Sequence, residues 1–233
     1  MFLTLKLKNH RISLVFIFQI LVLIVGIILG QGKHMNKYIV ILISITFLIT
    51  ALYIFFKRKS VYSKFIFWGM LFCFLGDITI AGFINGGFMV GGSMFAIAHI
   101  IFIIGYIKTI RAQNGIVFNR EFFISAVFYY AILIVLWILK LRYMQNNGGL
   151  QIGIFVYGIC LTTMASLAAA LCKNQKKYLK TAVGAVFFII SDSFIGMSYA
   201  IKVPYSEAII WTTYVIALYG IIYGGKTAVN KTL

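Results

Sequence analysis

Only four acidic side chains occur in the 233 residues of this chain, and two of them, Asp77 and Asp192, lie deep inside long apolar runs. A carboxylate near the centre of a bilayer is disfavoured by at least ~2.5 kcal/mol, so a buried Asp in such a run marks a working site unless local partners satisfy it. Two carboxyls held close together cannot both ionise readily, so one is expected to hold a proton near neutral pH. That is an acid and base pair. The protonated member can deliver its proton to an acid-labile ether or acetal-like bond, while the ionised member stabilises an oxocarbenium ion or activates water. Glycosidases divide the work in the same way. Within the apolar interior, His99 is suited to orient or neutralise a carboxylate, and Tyr214 is a further polar group. Catalytic zinc commonly takes three protein ligands with two or more His. One interior His and no cysteine triplet do not match that pattern, so neither a metal nor another cofactor is expected. Serine hydrolysis is a poorer fit again, because no GxSxG elbow is present and Ser93, Ser191 and Ser193 lack a triad signature.

The elements that must position these residues follow from composition. Hydrophobic residues make up 62% of the chain and charged ones 11%, whereas charged residues are roughly a quarter of an ordinary soluble domain. Eight apolar runs approach the ~20 residues that a helix needs to cross the hydrocarbon core. They are Ser13 to Leu29, Tyr38 to Phe56, Phe65 to Ile84, Val90 to Ile107, Phe122 to Leu139, Leu150 to Leu171, Thr181 to Ala200 and Ala208 to Tyr223. Continuous runs of this length exclude a β-barrel, whose strands would alternate over shorter segments. The fold class is therefore all-α: a polytopic membrane bundle of eight transmembrane helices, with residues 1–233 forming one integral membrane domain. Lys6, Lys8 and Arg11 precede the first run as in a signal peptide, but Gly30-Gln31-Gly32-Lys33 after it offers no small-residue cleavage site. It reads as a membrane anchor.

Sixteen of the 21 Lys and Arg residues fall at the N-terminus, in the loops after spans two, four and six, and at the C-terminus. By the positive-inside rule both termini are expected in the cytoplasm, in an integral protein of the cell membrane. The net charge of +17 is dispersed over these segments without a nucleic-acid motif, so anionic lipid head groups are the expected partners and nucleic acid is not. Cys73, Cys160 and Cys172 are odd in number and have no CxxC spacing, which leaves them as packing residues. The single proline, Pro204, breaks no span.

Depth brings the polar residues together. At 1.5 Å per residue, Asp77 lies roughly 19 Å from Lys64 and Asp192 roughly 18 Å from Lys180. Counted from Lys108 and Lys226 in the same way, His99 and Tyr214 lie about 13 Å and about 18 Å in. Helical spacing gives one stripe of Phe95, His99, Phe102 and Tyr106 and another of Phe188, Asp192, Gly196 and Tyr199. Small residues, Gly91, Gly92, Ser93 and Ala96 in span four and Gly184 and Ala185 in span seven, permit close helix approach. Glu121 and Glu207 lie at span edges and are expected to be solvated.

At these residues the chain resembles the YhhN family of lysoplasmalogenases. Leu75-Gly76-Asp77 is similar to the family's Leu-Gly-Asp in its third span. Gly91 or Gly92, then Phe95 and His99, resembles its glycine, phenylalanine and histidine pattern in the fourth. Gly184-Ala185-Val186-Phe187-Phe188-Ile189-Ile190-Ser191-Asp192 resembles Gly-Ala-x-Leu-Phe-x-x-Ser-Asp in the seventh, and Thr213-Tyr214 with Ala217 resembles Thr-Tyr-Tyr-x-Ala-Gln in the eighth. Phe102, Val215 and Leu218 stand where the family often has Tyr, Tyr and Gln. The resemblance implies a hydrolase that cleaves the vinyl ether bond of a lysoplasmalogen to a fatty aldehyde and a glycerophospho-base, with no cofactor consumed. Asp77 and Asp192 would be catalytic, His99, Tyr214 and Ser191 supporting, and Phe95, Phe102 and Phe188 walls for the alkenyl chain. A cytoplasmic Lys or Arg would meet the phosphate of the lysophospholipid. The alternative from another class is a proton-coupled carrier of a small molecule with Asp77, His99 and Asp192 as its relay. Such a carrier is expected to show half-helix breaks at its binding site.

Overall fold

The computed structural model describes residues 2–139, 148–200 and 203–225, with side chains for 14–139, 149–198 and 203–225. Among them are eight α-helices and no strand: α1 Phe2–Leu29, α2 Lys37–Arg58, α3 Val61–Ile80, α4 Gly87–Arg111, α5 Arg120–Leu139, α6 Gly148–Asn174, α7 Leu179–Ala200 and α8 Ser206–Tyr223. Seven are long and apolar enough to cross a membrane, and Leu14–Leu29 of α1 is a shorter apolar stretch. These are the features of a multi-pass membrane protein. Four residues of the charged N-terminal flank that composition left outside the first span, Lys6, Lys8, Asn9 and Arg11, are helical in α1. The third span ends earlier than its apolar run, because Gly82, at φ 80°, closes the turn after Ile80.

Local sequence explains the boundaries. Asn36 caps α2 by accepting the Tyr38 N–H at 2.9 Å. Ser60 and Ser63 form a reciprocal capping box at the start of α3, which satisfies donors that a helix start leaves orphaned. Lys57 and Arg58 in the last turn of α2, and Lys108 and Arg111 in that of α4, lie where the helix dipole favours cations.

Three antiparallel hairpins, α3–α4, α5–α6 and α7–α8, supply most of the packing. Neighbouring pairs close a ring in the order α1, α2, α3, α4, α6, α7, α8, with α8 also touching α2 and α3, and α5 lying outside against α6. Leu133 is the only buried side chain of α5, so that helix presents an apolar surface outward. In lipid no hydrophobic force joins helices, and close packing and polar contacts must do so. At the end of the bundle that carries the α2–α3, α4–α5 and α6–α7 connections, buried Tyr62 donates to the Ile221 carbonyl at 2.6 Å and shares a hydrogen bond with Thr181 at 2.7 Å. Gln113 donates to Tyr178 at 3.0 Å close by. These contacts tie α3, α7 and α8 together at this end.

Gly184 and Gly220 set the spacing of α7 and α8. A Cβ at Gly184 would meet the Ala217 carbonyl oxygen at 2.7 Å, and one at Gly220 would meet Gly184 Cα at 2.7 Å. The expected small-residue contact of span seven is thus with α8. On α4, a Cβ at Gly91 would run into Ile80 and lie 3.2 Å from the Gly76 carbonyl oxygen. This contact draws α4 against the Asp77 segment of α3.

Candidate active site

Asp77 and Asp192 line one cavity of about 390 Å³. Asp77 comes from the last turn of α3 and is 5% exposed, while Asp192 comes from the middle of α7 and is 8% exposed. Each has its own set of donors. Asp77 Oδ2 accepts from Ser44 Oγ on α2 at 2.6 Å and from the Tyr214 hydroxyl on α8 at 3.0 Å. Asp192 Oδ2 accepts a short hydrogen bond from the Tyr157 hydroxyl on α6 and lies 3.4 Å from His99 Nε2 on α4. His99 Nε2 is also 2.9 Å from the Tyr157 hydroxyl. Side chains from four other helices therefore converge on the two carboxylates.

The network fixes the histidine tautomer. Tyr157 gives its hydrogen to Asp192, so its oxygen is left to accept from His99 Nε2–H. His99 Nδ1 is buried with no hydrogen-bond partner among the described residues. An orphaned buried N–H is rarer than an unfilled lone pair, which assigns the proton to Nε2. Around the imidazole the Phe188 ring packs edge-on at 4.8 Å and the Phe102 ring at 6.4 Å.

The expected wall residues separate into two groups. Phe95 lines the cavity. Phe102 and Phe188 do not: both are fully buried behind His99 and Tyr214, and they support the polar residues rather than face the open space. A Cβ at Gly69 would overlap the Phe102 ring, so that glycine makes room for it. Val215 and Leu218 are likewise buried in apolar packing. Ser191 lines the cavity and donates to the Ile210 carbonyl at 3.2 Å, which ties α7 to α8 beside Asp192. Glu207 does more than face solvent, since its Oε2 accepts the Met35 N–H at 2.5 Å and holds the α1–α2 loop. The side chain of Tyr199 lies outside the described ones.

The sequence alone does not single out Ser44 or Tyr157. Depth along α2 is the signal that bears on Ser44, since it is a hydroxyl about 10 Å in from Lys37. Tyr157 has no such signal in a chain with 14 tyrosines.

A second cavity of about 430 Å³ runs between α4, α6 and α7 and shares Ile80, Phe88, Phe95, Asp192 and Ile195 with the first. Its walls are mostly apolar, and Met89, Ile152 and Val156 along it are exposed on the outside of the bundle. Asp192 thus stands where the chamber that holds both carboxylates meets a lateral groove that is more apolar still. Among the described residues no group of three or more His, Cys, Asp or Glu side chains is placed to hold a metal ion.

Fold and site together define a multi-pass helical membrane protein with two carboxylates lining one chamber. The chain belongs to the YhhN family, whose model matches residues 32–225. No curated protein and no solved structure matches it.

Proposed function

We infer that the protein is a lysoplasmalogenase-like hydrolase that cleaves a vinyl ether with Asp77 and Asp192 as its acid and base. The observation that carries this reading is that both carboxylates border one chamber, and one of them also borders a mostly apolar groove of about 430 Å³. Membership of the YhhN family is consistent with such a hydrolase.

The different partners of the two carboxyls divide their roles. Asp192 accepts from the Tyr157 O–H, whose oxygen in turn accepts from His99 Nε2–H, so it serves as the carboxylate. Asp77 faces two hydroxyls, Ser44 and Tyr214, which accept as readily as they donate and so tolerate a protonated acid. In the reaction, Asp77 passes its proton to the β-carbon of the vinyl ether, and the C=C electron pair forms the new C–H bond. The resulting oxocarbenium is stabilised by Asp192, which then removes a proton from the water that adds to the carbon next to the ether oxygen. The hemiacetal collapses as the proton held by Asp192 goes to the leaving glycerol oxygen, directly or through water. The hydroxyl proton returns to Asp77. One water is consumed, and a fatty aldehyde and a glycerophospho-base leave.

Purified protein incubated with a lysoplasmalogen and with the ester lysolipid of equal chain length tests this reading. Aldehyde from the first and no fatty acid from the second is the expected result. Proton-driven uptake of a small solute into liposomes, with no aldehyde formed, would replace the hydrolase with the carrier.

A further inference from the structure

The cavity that holds the two carboxylates has a polar mouth that the proton chemistry leaves unused. Lys37, the first residue of α2, and Glu207, in the first turn of α8, both line it. Lys37 Nζ stands 5.0 Å from the Phe83 ring centroid and 5.4 Å from that of Tyr38, and among the described residues no carboxylate lies within ion-pair distance of it. Glu207 is held in place by the Met35 N–H and by His34 Nδ1 at 3.4 Å. The rim therefore carries a flexible cation and a fixed anion. The opposite end of the bundle is tied by the Tyr62, Thr181 and Ile221 contacts.

Length connects this rim to the reacting groups. Ser44 marks the level of Asp77 on α2, and Lys37 is seven residues nearer the mouth, about 10 Å along the axis. In a lysolipid the ether oxygen and the phosphorus are separated by five bonds of about 1.5 Å, or about 6 Å when extended. A phosphate oxygen and a charge-assisted hydrogen bond of about 2.8 Å complete the distance. A bond placed at the carboxylates puts its phosphate near the level of the Lys37 backbone, within reach of a side chain that lines the same cavity.

We propose that Lys37 and Glu207 form a head-group subsite, Lys37 taking the phosphate and Glu207 the ammonium of a zwitterionic lysophospholipid. The head group then lies at the end of the bundle formed by the α1–α2, α3–α4 and α7–α8 connections. This moves the phosphate contact away from the loops that carry most of the basic residues. The bond at the carboxylates is taken from the hydrolase reading, but the subsite is tested without hydrolysis.

The probes are a saturated 1-O-alkyl lysophosphoethanolamine, which has no vinyl group to cleave, and the 1-O-alkylglycerol of the same chain length, each titrated into the full-length protein in nanodiscs. The wild type binds the phospholipid more tightly. Lys37→Gln weakens that binding about two- to fivefold, the effect of one charge pair at a half-exposed rim, and leaves the alkylglycerol unchanged. Lys37→Arg keeps the preference. Glu207→Gln removes the preference for the ethanolamine head group over the bare alkyl lysophosphate. Equal binding of phospholipid and alkylglycerol by the wild type overturns the subsite, as does full affinity in Lys37→Gln or equal binding of free glycerophosphoethanolamine. Aldehyde release is scored separately: head-group discrimination without aldehyde overturns the hydrolase reading and leaves the subsite standing.

Discussion

Gly184→Ala should loosen the bundle beside the candidate site. The new Cβ would lie 2.7 Å from the Ala217 carbonyl oxygen and 3.0 Å from both Gly220 Cα and Ile221 N. All three are backbone atoms and cannot rotate away. Restoring ordinary contact requires α7 and α8 to part by roughly 0.7 Å or more. Overpacking of this kind costs about 1–3 kcal/mol, and at about 2–4 °C per kcal/mol for a chain of this length the melting temperature should fall by several degrees. Asp192 is two turns along α7 from Gly184, and Tyr214, which holds Asp77, is on α8. A displacement near 1 Å at such a site costs up to about a hundredfold in rate. Thermal unfolding in detergent is the assay, with Gly153→Ala as the control because a Cβ there meets nothing within 4 Å. If Gly184→Ala melts with the wild type or with the control, α7 and α8 are not in backbone contact, and the way the carboxylates are brought together is misread.

Three further outcomes follow from the site. Tyr157→Phe removes the hydroxyl shared by Asp192 and His99 and should lower kcat for aldehyde release about tenfold or more with little change in KM; an unchanged kcat would make Tyr157 a packing residue. Ser44→Ala and Tyr214→Phe each strip one donor from Asp77, and because they share one acceptor the double variant should depart from the sum of the single effects. Independent, additive losses would count against a common role. Hydrolysis run in D₂O should place one deuterium on the carbon next to the aldehyde group, read by mass spectrometry after reduction to the alcohol. An unlabelled product would exclude protonation of the vinyl carbon.

Much of the bundle was readable in the sequence because lipid imposes one long apolar run per helix, and the polar exceptions stand out against it. Depth singles out Asp77, Asp192, His99 and Tyr214 as a group, and helical face adds neighbours for His99 and Asp192. Which helices are neighbours was not, and that determines the pairing of the groups. Ser44 reaches Asp77 because α2 packs on α3, and Tyr157 reaches Asp192 because α6 packs on α7. Phe102 and Phe188 share a stripe with the polar residues, yet face position does not separate a ring that lines open space from one buried behind it. Glu207 was read as solvated because a span edge offers water, whereas the α1–α2 loop folds back to give it a backbone donor. The apolar count also extended the third span through Ile84, since Phe83 and Ile84 are hydrophobic although the chain turns there.

Asp77→Asn and Asp192→Asn, prepared separately and shown to melt as cooperatively as the wild type, give the most direct measurement. With lysoplasmalogen as substrate, wild-type protein should release aldehyde and each variant should lose about a thousandfold or more of that rate, since each carboxyl has a distinct part in proton transfer. Aldehyde release at near wild-type rate by either folded variant would contradict the shared work of the two acids.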